Sequence, residues 1–146
     1  MGVQIAAGFV SAAAFAYLYR APKNQILRSG LVGGAGWLVF LLAKDILGEI
    51  SAMFLAATVA AVLSETFARR IKQPVVVLLI PGVIPLVPGG KAYLTMLSFL
   101  QDDYIQGLEL LVSTMFLAGA VAAGIILASS AFRIFHRANS LGGRNT

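Results

Sequence analysis

The run Pro81-Gly82-Val83-Ile84-Pro85-Leu86-Val87-Pro88-Gly89-Gly90 decides how this chain is read. It lies inside an apolar stretch, residues 74–100, that otherwise has the character of a membrane span. Proline lacks an N–H and clashes with the preceding turn, and glycine loses the most backbone freedom, so the run opposes a continuous α-helix. Backbone groups released at membrane depth need partners in protein or in a wet cavity. Transporters commonly build a solute site near the bilayer midplane from such a broken helix. A proline kink and a loop outside the membrane are the alternatives.

Outward from this run the chain is apolar nearly throughout. Hydrophobic residues make up 59% and charged residues 12% of the 146, which marks an integral membrane protein rather than a soluble globule. Five apolar segments stand out, at about 3–19, 26–43, 50–67, 74–100 and 105–132. A helical span needs about 20 residues. The expected fold is therefore all-α, with five transmembrane segments and the fourth interrupted. Residues 1–135 would form one membrane domain, and 136–146 a short basic polar tail, frayed from 139 onward. The links are too short to hold a soluble domain. No basic residue precedes the first apolar segment, so it is expected to be a retained span and not a signal peptide. Met1-Gly2 suggests myristoylation, but Ala6 breaks that pattern.

Charges give an orientation. Arg20, Lys23 and Arg28 flank the first link, Arg69, Arg70 and Lys72 the third, and Arg133, Arg137 and Arg144 follow the last span. Lys44 with Asp45 and Glu49, and Asp102 with Asp103, occupy the other links. Five spans put all the basic groups on one side, and the positive-inside rule makes that side cytoplasmic. The N-terminus is then outside and the C-terminus inside. A re-entrant fourth segment would place the last basic cluster outside, so a crossing segment fits better. Its helical arms, about 74–80 and 91–100, would reach roughly 10 and 15 Å. Neither crosses a hydrocarbon core of about 30 Å alone.

The chemistry centres on the break. The second arm would start near Lys91, and a helix start carries partial positive charge and receives anions. Gly89 and Gly90 permit close backbone approach. A lysine at a helix start, deep in a bilayer, is doubly unfavourable, at about 2.5–3.5 kcal/mol or more for depth alone. An anion sharing the site relieves both penalties. Gly89, Gly90 and Lys91 are therefore the candidate receivers of a carboxylate from a small solute, with hydroxyls from Tyr93 or Thr95 nearby. Otherwise Lys91 pairs with an acidic side chain of another helix or snorkels to the surface. Glu65 lies one turn before Arg69, so an ordinary i,i+4 ion pair competes with a gating or proton-coupling role. Small residues at helical spacing (Gly8, Ala12, Ala16; Ala52, Ala56, Ala60, Ser64; Gly30, Gly34) read as helix-packing stripes.

Several classes fail on inventory. There is no cysteine, and His136 is the single histidine, so thiolate and histidine-rich metal sites and a conventional triad are excluded. No Gly-Lys-Ser/Thr ending follows the glycines, so there is no P-loop. No enzyme activity and no cofactor are expected. The net charge of +5 is explained by basic flanks of membrane segments, with no nucleic-acid partner.

From Ser64-Glu65-Thr66-Phe67-Ala68-Arg69-Arg70, through Lys72-Gln73-Pro74, to the Pro81–Gly90 run and Ala92-Tyr93, the chain resembles the threonine/serine exporter family, in its smaller, C-terminal-half type of subunit. The outline covers nearly the whole chain, and the specific part about thirty residues. The resemblance implies a bacterial inner-membrane exporter of small amino acids or dicarboxylates, driven by the proton motive force. It implies a larger partner subunit bearing another set of spans, for whose soluble region this chain has no room. Pro81, Gly82, Pro85, Pro88, Gly89 and Gly90 match the signature and Glu65 its approach. Lys91 is not carried by the resemblance. An odd number of spans cannot be two equal halves of inverted topology, so a second subunit or self-association is expected. The competing reading is a non-transporting scaffold or assembly subunit that packs through its small-residue faces.

Overall fold

A computed structural model describes residues 1–142, with side chains to 134, and their regular structure is all helical, with no strand among them. The helices are α1 (Gly2–Leu18), α2 (Lys23–Leu47), α3 (Glu49–Ile71), α4 (Val76–Val83), α5 (Gly89–Leu100) and α6 (Tyr104–Gly142), with a 3₁₀ turn at Ile84–Leu86 after α4. Three of them, α2, α3 and residues 104–134 of α6, are long and apolar enough to cross a membrane. A fourth crossing follows if α4 and α5 count as one span bent by 49°. The apolar α1, with 17 residues, is shorter. This is an all-α membrane protein.

Two helix boundaries differ from the sequence expectation. The first arm does not stop at residue 80. It runs through Pro81 and Gly82 to Val83, then tightens into the 3₁₀ turn. Proline holds φ near the helical value, so the chain stays helical through Pro81 while losing one backbone hydrogen bond. Ile84, although it precedes Pro85, also stays helical, with φ −50° and ψ −43°. Chain direction changes only at Val87, which precedes Pro88 and is extended, with φ −68° and ψ 128°. At the other end α6 stays helical through Gly142, so part of the expected frayed tail is helix. Residues 143–146, and the side chains of His136 and Arg137, lie outside the described region.

The bundle is a row. α1 packs on α2, α2 on α3, α3 on α6 and α6 on α5, while α4 and its 3₁₀ turn sit against α1, α2 and α3. Close approach is set by small residues, as in lipid-facing bundles generally. A methyl group built on Gly33 would stand 2.5 Å from Ala12 Cβ, and one on Gly82 would stand 2.5 Å from Val32 Cγ1. Ala52, Ala56, Ala57, Ala60 and Ala61 of α3 are fully buried, and Leu86 seals the centre beside Gly36. The stripes of small residues are the packing faces.

Contacts between α3 and α6 show their direction. Glu49 and Ser113 meet the same atom, Gly124 lies against Phe54 and Thr58, and Arg69 stacks 5.1 Å from the Phe132 ring. Both numbers rise together, so the two helices are parallel. The chain between them, α4 to α5, therefore returns from the end of α3 to the level of its start. Residues 104–112 of α6 then extend roughly 13 Å past that level, alongside the antiparallel α5.

Candidate functional site

The site is built by two sharp turns. Gly48 is the single residue between α2 and α3, at φ 80° and ψ 165°. That region of backbone space is essentially reserved for glycine. It makes Glu49 the first residue of α3, where a carboxylate is favoured by the helix dipole. The second turn is Val87–Pro88. Val87 N–H donates to Ile84 O at 3.1 Å, Gly89 N–H to Val87 O at 2.7 Å and Ala92 N–H to Pro88 O at 3.1 Å. No side chain caps α5, and with Gly89 N–H taken by Val87 O the free amides of its first turn are those of Gly90 and Lys91.

Lys91 occupies that first turn, an unfavourable place for a cation, and the structure shows what offsets it. Its Nζ donates to Glu49 Oε2 at 2.6 Å and to Ser113 Oγ at 3.1 Å. Among the described residues, these are the side-chain hydrogen bonds that join separate helices; the others return to the same helix or its own turn. The side chains remain accessible, 30% for Lys91 and 46% for Glu49. Gly89 and Gly90 are exposed, with no atom within 4 Å of where a Cβ would stand. The backbone at both glycines is therefore open, and the neighbouring ion pair is itself partly exposed.

The sequence-derived residues separate into groups. Pro88, Gly89, Gly90 and Lys91 stand together at the start of α5. Pro81 and Gly82 are buried, and Pro85 half-buried, inside the α1–α3 packing, with Pro85 Cγ 3.3 Å from a methyl built on Gly33. Tyr93 is 67% exposed and lies two positions from Lys91, hence on a different helix face. Thr95 shares the Lys91 face, but its hydroxyl donates to Lys91 O at 2.8 Å. Glu65 is buried and pairs with Arg69 at 3.3 Å. It is 16 positions along α3 from Glu49, or roughly 24 Å, so it is not part of the Lys91 cluster.

Sequence reasoning missed Glu49 and Ser113. Glu49 read as a link residue because it follows Lys44 and Asp45, and Ser113 carries no local signal at all. The one available cue was Gly48, whose position before an acidic helix start marks a tight turn. Elsewhere, a groove of about 680 Å³ between α3 and α6 is lined by Phe54, Met115, Phe116 and Gly119 among others. Its lining contains no charged side chain, so it suits acyl chains or another helix rather than a carboxylate.

The family described as "Threonine/Serine exporter, ThrE" matches residues 4–131. A "Threonine/serine exporter" of Corynebacterium glutamicum is 32% identical over 124 residues, which is 85% of this chain and 25% of that relative. The chain thus spans about a quarter of the length of the curated relative. No solved structure matches it.

Proposed function

This chain belongs to the threonine/serine exporter family, a family of transporters and not of enzymes, and from that premise we propose that it is a subunit of a secondary-active exporter of small carboxylate-bearing solutes, either threonine/serine-type amino acids or dicarboxylates. The solute carboxylate is held at the start of α5 by Lys91 and the open backbone of Gly89 and Gly90. The observation that carries this reading is a lysine in the first turn of a helix, just past a two-residue break, with open space over both neighbouring glycines. Helix polarity and a full charge then act on the same ligand group. Pro81, Gly82 and Pro85 hold the approach to the break by packing, Pro88 sets its direction, and Tyr93 faces a second surface of α5.

On this reading α1, α2, α3, the α4–α5 pair and α6 are five spans, with the fourth interrupted at Val87–Pro88. The basic links lie at the cytoplasmic face of a bacterial inner membrane, the N-terminus outside and the C-terminus inside. Glu65, held by Arg69 at the cytoplasmic end of α3, serves gating or proton coupling. The larger exporter subunit, or a second copy, covers the outer face of α6. One fact supports such a cover: only 17% of α6's most apolar stretch is buried.

One observation favours a scaffold role instead: α4 and its 3₁₀ turn pack closely on α2, Gly82 on Val32 and Leu86 on Gly36. The deciding measurement is efflux of labelled threonine and succinate from membrane vesicles carrying the full chain, with and without Lys91→Gln. Loss of efflux in a variant that still inserts supports transport at α5. Unchanged efflux overturns it and leaves the scaffold reading.

A further inference from the structure

We infer that Glu49 is the second charge of the solute site and sets its specificity, so that the site takes a zwitterion and rejects a dicarboxylate. The inference rests on the reading of Lys91 as the carboxylate receiver. Its own basis is different: an acid, an ammonium and a hydroxyl from three helices meet at one point. Glu49 Oε2 is 2.6 Å and Ser113 Oγ 3.1 Å from Lys91 Nζ.

An α-amino acid carries its carboxylate and ammonium on neighbouring atoms. A contact pair of opposite charges is the complement of that arrangement. Laid against the pair head to tail, the solute puts its carboxylate on Lys91 and its ammonium on Glu49, so no charge is left unpaired when water is displaced. Ser113 remains within reach as a neutral hydrogen-bonding group, able to donate to a carboxylate or accept from a hydroxyl. The accessibility of both charged side chains, 30% and 46%, means that the pair can be engaged without first being uncovered.

A dicarboxylate fits the same place badly. One of its carboxylates gains Lys91, but it competes with Glu49 for that ammonium and brings a like charge beside it. Glu49 therefore acts by repulsion as much as by attraction, which is how closely similar ligands are most effectively separated. In the empty site Glu49 is also the internal counter-ion of Lys91, so a ligand that cannot replace both charges must leave one of them unpaired.

The test uses the full chain in lipid nanodiscs and equilibrium binding of radiolabelled threonine, N-acetylthreonine and succinate. N-acetylthreonine keeps the carboxylate and hydroxyl and loses the ammonium. Expected for the wild-type chain is threonine binding at least tenfold tighter than either of the others. Glu49→Gln should bring threonine and N-acetylthreonine to within about threefold of each other and improve succinate, while Glu49→Asp keeps the order. Lys91→Gln should weaken all three. Equal wild-type affinity for threonine and N-acetylthreonine overturns the role of Glu49, and that result needs no variant to fold. If Lys91→Gln nonetheless weakens all ligands, the Lys91 site stands without Glu49. If Lys91→Gln changes nothing, or the wild-type chain binds none of the three, the site itself is wrong and this inference falls with it.

Discussion

Lys91 Nζ stands 2.6 Å from Glu49 Oε2 and so ties the first turn of α5 to the first residue of α3, 42 positions apart in the chain. Lys91 is poorly placed in the first turn of its own helix, whereas Glu49 suits the start of α3. Glu49 is positioned by a one-residue glycine turn, and Lys91 by the extended Val87 ahead of Pro88. The tie also fixes the level at which α5 leaves the bundle.

This pair is partly exposed, so its contribution to stability is small, about 0–1 kcal/mol once solvent screening is allowed for. Lys91→Gln is therefore expected to leave the melting temperature of the detergent-solubilised chain within about 3 °C, given the usual conversion for a domain of this size, while abolishing solute efflux. A fall in melting temperature that parallels the fall in efflux would mean that the lysine is only structural.

Gly82 and Gly90 belong to one sequence run but should respond in opposite ways. A methyl on Gly82 would meet Val32 Cγ1 at 2.5 Å, so Gly82→Ala forces α4 off α2 and is expected to destabilise by about 1–3 kcal/mol. Val32→Ala in the same chain should recover much of that loss, because the two sites share one contact. Thermal unfolding of the single and double variants checks this.

Gly90 has nothing within 4 Å of a built Cβ and sits in a helix, where alanine is preferred by about 1 kcal/mol. Gly90→Ala should be neutral or stabilising. Gly90→Leu should fold and insert normally yet block efflux by filling the open approach to the first turn of α5. Normal efflux in Gly90→Leu would remove that approach from the solute path.

Gly48 has open space around it, so substitution there acts through backbone strain alone. At φ 80° and ψ 165°, Gly48→Ala is expected to cost about 1–3 kcal/mol. Because Glu49 follows directly, the same change should also weaken any discrimination between threonine and N-acetylthreonine. Thermal unfolding and binding on one preparation separate the two effects.

Glu65→Gln removes the i,i+4 partner of Arg69 at a buried position, so the cost is expected to exceed the roughly 0.2–0.5 kcal/mol of an exposed helix pair. Insertion should be unaffected. Efflux driven by an imposed pH gradient should fall several-fold, whereas threonine–threonine counterflow, which needs no net proton movement, should persist. Equal losses in both assays would argue against coupling at Glu65.

Hydropathy, charge spacing and the small-residue stripes were sufficient by themselves to establish a helical membrane protein and the rough bounds of α1, α2 and α3. They act within one or two turns, and side-chain period and solvent transfer are local quantities. What the sequence left open is which proline breaks the helix. Pro81 and Pro85 remain inside helical structure because Gly82 and Leu86 are held against Val32 and Gly36, and only Val87 ahead of Pro88 turns extended. The parallel alignment of α3 with α6, and the meeting of Lys91 with Glu49 and Ser113, were decided by tertiary structure alone. An ion pair depends on distance through space, and across 42 residues that distance is set by how closely glycine and alanine let three other helices approach.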